Sequence, residues 1–262
     1  MPSFNLPTDS TVSATIKGKA LKLTKSSAIE TFNPGVLGLG NIQSESSTRS
    51  AVAVIFDLQG FTSFCGQIEP SLTVPLFLNE FLNWLFAGIR KESINRVHSD
   101  KVLLWHGLPF FAKFMGDGIL VLWDTAKMSQ RNQHNLISSC LAILRQYEEH
   151  FHPKIRRKVS YAPPKLRCGI AKGTVLSVGN GEDYVGSCIN LAARLQKMPG
   201  VCIAFSRKGF NPEDEWKGMA NLKLWVLVKT AIRGIGDAEL IYIPSKSYEK
   251  LSPEEKRTYE LP

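Results

Sequence analysis

Two aspartates stand where apolar strands end. Asp57 closes the run AVAVIF, and Asp117 sits between Gly116 and Gly118, which separate the apolar runs PFFAKFM and ILVLW. Taken singly, a strand-end aspartate and a hairpin-tip aspartate are explained by ordinary cap and turn chemistry. On neighbouring strands they would project two carboxylates from one end of a sheet. Hard oxygen ligands so placed suit Mg²⁺ or Mn²⁺, which take carboxylates together with substrate phosphates. Gly60, Phe61 and Thr62 follow Asp57 and lead towards a helix. Backbone N–H groups at such a start can hold a phosphate without a basic side chain.

A second set of polar residues lies further along. In GSCINLAARLQ, Asn190 and Arg194 are spaced i and i+4, so they share a helical face beside Leu191 and Leu195. One amide and one guanidinium suit a ribose and a triphosphate, because arginine stabilises charge on phosphoryl oxygens. The plainer reading is a solvated helix face. Asp183 falls in the loop entering this helix. Lys113 lies on a hairpin strand among Phe111, Phe114 and Met115, so it must reach either solvent or a polar pocket. Arg233 sits where the strand AIRGIG breaks at glycine, within reach of a phosphate or of water.

The elements that must position these groups are legible as alternating patterns. AVAVIFDL reads as a buried strand. PLFLNEFLNWLFAGIRKESI has helical spacing, with Pro75 at a first-turn position. PFFAKFMGDGILVLWD reads as a hairpin, residues 126–151 as a second helix, and LRCGIAKGTVLSVGN as a second hairpin turning near Lys172-Gly173. A short helix follows, stopped near Pro199-Gly200, and then VCIAFS, LKLWVLVKTAIRG and AELIYIP as strands. The order predicts an α+β fold with a central, mostly antiparallel sheet and helices packed on it. Residues 1–50, rich in Ser, Thr, Gly and Lys, read as a flexible or loosely ordered arm, 51–245 as the folded domain and 246–262 as a tail.

Composition narrows the class. A chain of 262 residues that is 44% hydrophobic can build a core, which excludes global disorder. The net charge of +9 suits nucleic acid, anionic lipid or a polyphosphate substrate, and does not choose among them. No apolar run approaches the roughly 20 residues that cross a bilayer, and the polar N-terminus lacks a secretory pattern. Five scattered cysteines without a CxxC pair argue against a disulfide framework or zinc ribbon and fit a reducing cytoplasm.

FDLQGFTSF, KFMGDGILVLW, DYVGSCINLAARLQ and IRGIG, in this order and spacing, resemble the class III nucleotidyl cyclases over residues 51–243. The resemblance implies a ferredoxin-like catalytic domain working as a head-to-tail homodimer with shared active sites. It implies that Asp57 and Asp117, with the Leu58 carbonyl, hold two divalent ions, Mn²⁺ or Mg²⁺. Asn190 would orient the ribose, Arg194 would stabilise the transition state at the α-phosphate, and Arg233 would bind the triphosphate. Lys113 and Asp183 match the pair that contacts the base in adenylyl cyclases. The implied reaction converts a nucleoside triphosphate to a 3′,5′-cyclic nucleotide and pyrophosphate. The bulk of Phe114 and Met115 beside Lys113, together with no recognisable sensor or membrane domain, is similar to the stand-alone bacterial pyrimidine cyclases of Pycsar anti-phage defence. There the product, cyclic UMP or cyclic CMP, acts on a separate effector protein. An adenylyl cyclase is the alternative; an RNA-binding module or a catalytically inactive regulatory homologue is more remote. No nucleic-acid or membrane partner is expected.

Overall fold

The structure, a computed structural model, describes residues 11–16, 19–24, 34–43, 45–67, 69–98, 101–126, 128–210 and 223–262. In chain order the first elements are β1 (Thr11–Ile16), β2 (Lys19–Thr24), β3 (Thr48–Gln59), α1 (Phe61–Cys65) and α2 (Pro70–Ser93). Next come β4 (Ile94–His98), β5 (Lys101–Leu104), β6 (Phe111–Phe114), β7 (Gly118–Asp124), α3 (Gln130–Gln146) and α4 (His152–Ile155). The last are β8 (Lys165–Val178), β9 (Asp183–Val185), α5 (Ser187–Leu195), β10 (Ile203–Ser206), β11 (Trp225–Ile232), β12 (Gly236–Pro244), α6 (Ser245–Lys250) and α7 (Pro253–Lys256).

The chain divides into two units, residues 1–48 with 176–185 and residues 49–175 with 186–262. In the smaller unit β1 and β2 pair as an antiparallel hairpin, in a stretch whose sequence showed no strand pattern. There too the end of β8 pairs with β9, and the Ser47 N–H donates to the Ser177 hydroxyl at 2.8 Å. Of the anticipated arm, residues 1–10, 17–18, 25–33 and 44 lie outside the described residues.

In the larger unit the sheet has the order β11-β12-β10-β8-β3-β7-β6, with β10 parallel to β8 and antiparallel to β12. The fold is therefore the expected α+β type, a mixed, mostly antiparallel sheet with helices packed on it. Residues 51–58 of β3 are all buried, because the strand is covered on both faces. Val52, Val54, Phe56 and Leu58 point to one face, with Ile119, Val121 and Trp123 of β7, and meet Phe77, Phe81 and Leu85 of α2 and Ile137, Cys140 and Ile143 of α3. Each such side chain contributes about 1.5–3 kcal/mol by leaving water.

Several local expectations change. The first-turn proline of α2 is Pro70, and Pro75 lies inside the helix. By length and composition alone α2 could cross a membrane, with a hydropathy of 1.3 over an 18-residue window, which the sequence reading did not anticipate. In the fold its buried stripe, Phe77, Phe81, Leu85 and Ile89, packs into the core. The helix expected over 126–151 begins at Gln130, capped by Ser129, and passes into a π-turn at Tyr147–Phe151. The second hairpin near Lys172-Gly173 is absent: β8 runs unbroken for 14 residues. The stretch before β6 forms its own hairpin, β4 with β5.

Candidate active site

Strand register brings the two aspartates together. β3 and β7 are antiparallel with Asp57 opposite Gly118, and the Leu58 N–H donates to the Asp117 carbonyl at 3.0 Å. The tip between β6 and β7 needs its glycines. Gly116 has φ +95°, and a Cβ on Gly118 would lie 2.7 Å from the Phe56 carbonyl oxygen. Asp117 is half-buried at the tip, whereas Asp57 is 3% exposed.

A buried carboxylate needs a partner. Here it is Arg167 of β8, whose Nη2 donates to Asp57 Oδ2 at 2.5 Å and whose Nε donates to the same oxygen at 3.1 Å. Alternation explains the meeting. Leu166, Cys168 and Ile170 face the helix-side core, so Arg167 and Gly169 face the other way, as Asp57 does. Sequence reading passed over Arg167. The available signal was a lone arginine between buried apolar neighbours, which requires an anionic partner inside the fold.

The same face carries Lys113. It pairs with Leu120, which is opposite Ile55, two residues from Asp57 on the same side of β3. Phe114 alternates to the opposite face and packs against the helix-side core, while Met115 lies beyond the strand and is 41% exposed. Gly60, with φ +82°, turns the chain from β3 into α1. The N–H groups of Phe61 and Thr62 lie in the first helical turn, where they have no intrahelical acceptor. The Phe61 ring anchors that turn on Phe64 and Phe77, at centroid distances of 5.8 and 6.5 Å.

α5 crosses the Arg167 side of β8 at close range. A Cβ on Gly169 would stand 2.0 Å from the Ala192 carbonyl oxygen, and one on Gly173 would stand 3.0 Å from Cys188 Cβ. Cys188, Leu191, Ala192 and Leu195 are buried, leaving Asn190 and Arg194 exposed on the outer part of the helix. Burial pushes the Cys188 thiol pKa up, so it stays a neutral packing group. Arg233 is exposed on the β11–β12 turn. β11 stands four strand positions from β3, a lateral separation of about 19 Å at ordinary strand spacing. Asp183 belongs to the smaller unit, where its Oδ1 accepts from the Tyr184 N–H at 2.9 Å. The larger unit thus joins Asp57, Asp117 and Arg167, sets Lys113 on the same face, and holds Arg233 well away from them.

The residues present fit a divalent ion. Asp57 is buried against a cation already, and Asp117 and the Leu58 backbone add hard oxygen donors beside it. Among the described residues no group of three or more His, Cys, Asp or Glu could hold a metal. Coordination here would therefore rest on two carboxylates, a backbone carbonyl and oxygens from substrate or water, the usual pattern for Mg²⁺.

No family model matches the chain, and no curated protein matches it. Solved structures do. The adenylyl cyclase CyaB from P. aeruginosa superposes with TM-score 0.57 at 18% identity, covering 79% of this chain and 100% of that one. The guanylyl cyclase Cya2 gives 0.54 at 19% identity, covering 76% and 93%. A bacterial light-regulated adenylyl cyclase gives 0.51 at 14% identity, covering 84% and 60%. The architecture of this chain is a ferredoxin-like, class III nucleotidyl-cyclase-like fold.

Proposed function

We propose that this chain is a nucleotidyl cyclase that converts ATP to cyclic AMP and pyrophosphate. The observation that carries the reading is the pairing of Asp57 and Asp117 at one end of adjacent strands, on the fold of known cyclases. In the reaction the ribose 3′-oxygen forms a bond to the α-phosphorus, its proton is lost, and the bond to the pyrophosphate oxygen breaks.

Asp57, Asp117 and the Leu58 carbonyl would hold the divalent ions. Such ions, when bound, lower the pKa of the attacking hydroxyl and neutralise the leaving group. The Gly60 N–H and the first-turn N–H groups of Phe61 and Thr62 would donate to phosphate oxygens. Asn190 orients the ribose, and Arg194 stabilises charge at the α-phosphate. Arg233 binds the triphosphate.

The separation of about 19 Å between the β3 and β11 positions argues that Arg233 and Asp57 of one chain do not share a triphosphate. A homodimer in which one protomer supplies the carboxylates and its partner supplies Lys113, Asp183, Asn190, Arg194 and Arg233 resolves this.

For the base, Lys113 and Asp183 match the pair that contacts adenine in adenylyl cyclases, which favours ATP. The pyrimidine reading rested on bulk at Phe114 and Met115 and on the lack of a recognisable sensor or membrane domain. Phe114 packs against the helix-side core, so its bulk does not narrow the face that carries Lys113, while Met115 lies beyond the strand and is 41% exposed. A buried Asp57 on that face, with Asp117 at the adjacent hairpin tip, also suits metal-bound triphosphate better than an RNA backbone.

The test is incubation of the purified chain with ATP, GTP, CTP or UTP and Mn²⁺, with products identified by mass spectrometry. Cyclic AMP as the main product, lost in Asp117→Ala, supports the proposal. Faster conversion of UTP or CTP would restore the pyrimidine reading, and no cyclic product from any triphosphate would remove the enzyme reading.

A further inference from the structure

The helix side of the larger unit holds a cavity that the proposed reaction does not use. It measures about 410 Å³ and lies between α2 and the segment where α3 gives way to its π-turn and α4. That volume is in the range of small-molecule sites. Its floor is apolar and aromatic. The half-buried Trp84 packs on Phe151 at a centroid distance of 4.9 Å and on Tyr147 at 5.6 Å, and Ile155 is 2% exposed. The π-turn carries His150 and Phe151 into the lining, and π-turns recur at functional sites.

The rim is basic. Lys154 and Lys158 line it, and Arg156 and Arg157 are exposed in the same stretch, KIRRK. Against them the lining offers one carboxylate, Glu80, which accepts from Lys158 Nζ at 2.6 Å. Lys154 is exposed at the rim and is the second, weaker positive charge acting on Glu80. The sequence carries a surplus of +9, and this run is a concentrated part of it.

We infer that this cavity binds a small planar aromatic anion, a ring bearing a phosphate or carboxylate. The ring stacks on the half-buried Trp84, with only the edge of the buried Phe151 beside it. The anionic group meets Lys154 at the rim, with the Lys158–Glu80 pair beside it. The site is separate from the carboxylates. α2 and α3 cover the face of β3 formed by Val54 and Phe56, and Asp57 lies on the other. It therefore stands independently of the cyclase reading.

The test is calorimetric titration of the full chain with 1-naphthyl phosphate, alongside neutral 1-naphthalenemethanol and inorganic phosphate. Saturable binding of the naphthyl phosphate is expected, with at least tenfold weaker binding of the other two. Lys154→Glu, a change at an exposed lysine that leaves the core intact, should weaken it about tenfold. Asp117→Ala, at the other site, should leave it unchanged. Absence of saturable binding, equal affinity in Lys154→Glu, or loss in Asp117→Ala would each overturn the inference. So would a short RNA that binds through KIRRK while naphthyl phosphate does not.

Discussion

Arg167→Met tests the electrostatic logic of the site directly. The side chains of Asp57 and Arg167 are 4% and 22% exposed, so the pair is screened by protein and not by water. Removing the guanidinium leaves a carboxylate buried without a cation. Breaking a buried pair from one side costs about 3–5 kcal/mol. In a domain of this size that lowers Tm by roughly 6–20 °C. The same substitution in an Asp57→Asn background should cost much less, because no charge is stranded.

Mn²⁺ adds an independent readout. At a hundredfold excess over its Kd a ligand stabilises the folded state by about 2.7 kcal/mol. Arg167→Met should therefore gain most of its lost stability with Mn²⁺, while the Asp57→Asn, Arg167→Met double variant should gain little. The assay is denaturant unfolding of the four proteins, each with and without Mn²⁺. If Arg167→Met is equally costly in both backgrounds, the pair is not what holds Asp57, and the argument fails. If Mn²⁺ stabilises the double variant as much as the single one, the ion is not binding at Asp57.

Other expectations follow from the same geometry. Mixing Asp117→Ala with Arg194→Ala protein should restore turnover to at most about half per mixed dimer, since one of two symmetric sites is intact; no recovery despite subunit exchange would place the site within one chain. Gly169→Ala drives a methyl towards the backbone of α5, 2.0 Å from the Ala192 oxygen, and should cost about 1–3 kcal/mol while lowering turnover through Asn190 and Arg194; unchanged kinetics would argue that α5 does not carry the site. His134 is 3% exposed, and burial, followed by repulsion from Lys172, lowers its pKa to about 4. The unfolded chain then binds the proton more readily, so stability should fall between pH 6.5 and about 4, by up to about 1.4 kcal/mol per pH unit. His134→Gln should flatten that slope, measured by denaturant unfolding at stepped pH.

What the sequence displayed was whatever a local pattern can carry. The unbroken apolar run before Asp57 and the glycines around Asp117 marked a buried strand and a hairpin, and their pairing set the two aspartates at the same end of adjacent strands. Asn190 and Arg194 were readable as a shared exposed face because the four residues around them that bury do so at helical spacing. Arg167 was not readable in the same way. Its role depends on which strand lies beside β3, and the neighbour in space is β8, more than a hundred residues later in the chain. The likeness of strand face that separates Lys113 from Phe114 was available from alternation, but only once the direction of the core was known.

The misplaced second hairpin shows the physical reason for such errors. Gly116 and Gly173 look alike in sequence, each a glycine between apolar runs. At Gly116 the residue is needed for its backbone, since φ of +95° is a region that side chains resist. At Gly173 the backbone is ordinary strand, and what is needed is space, because a Cβ would press on Cys188 of α5 at 3.0 Å. Composition cannot separate a turn glycine from a contact glycine, since the second is set by an element that packs from elsewhere. The consequence reaches the site. Because β8 does not turn at Gly173, it runs on as one long strand beside β3 and bears both Arg167, which neutralises Asp57, and the glycine platform on which α5 holds Asn190 and Arg194.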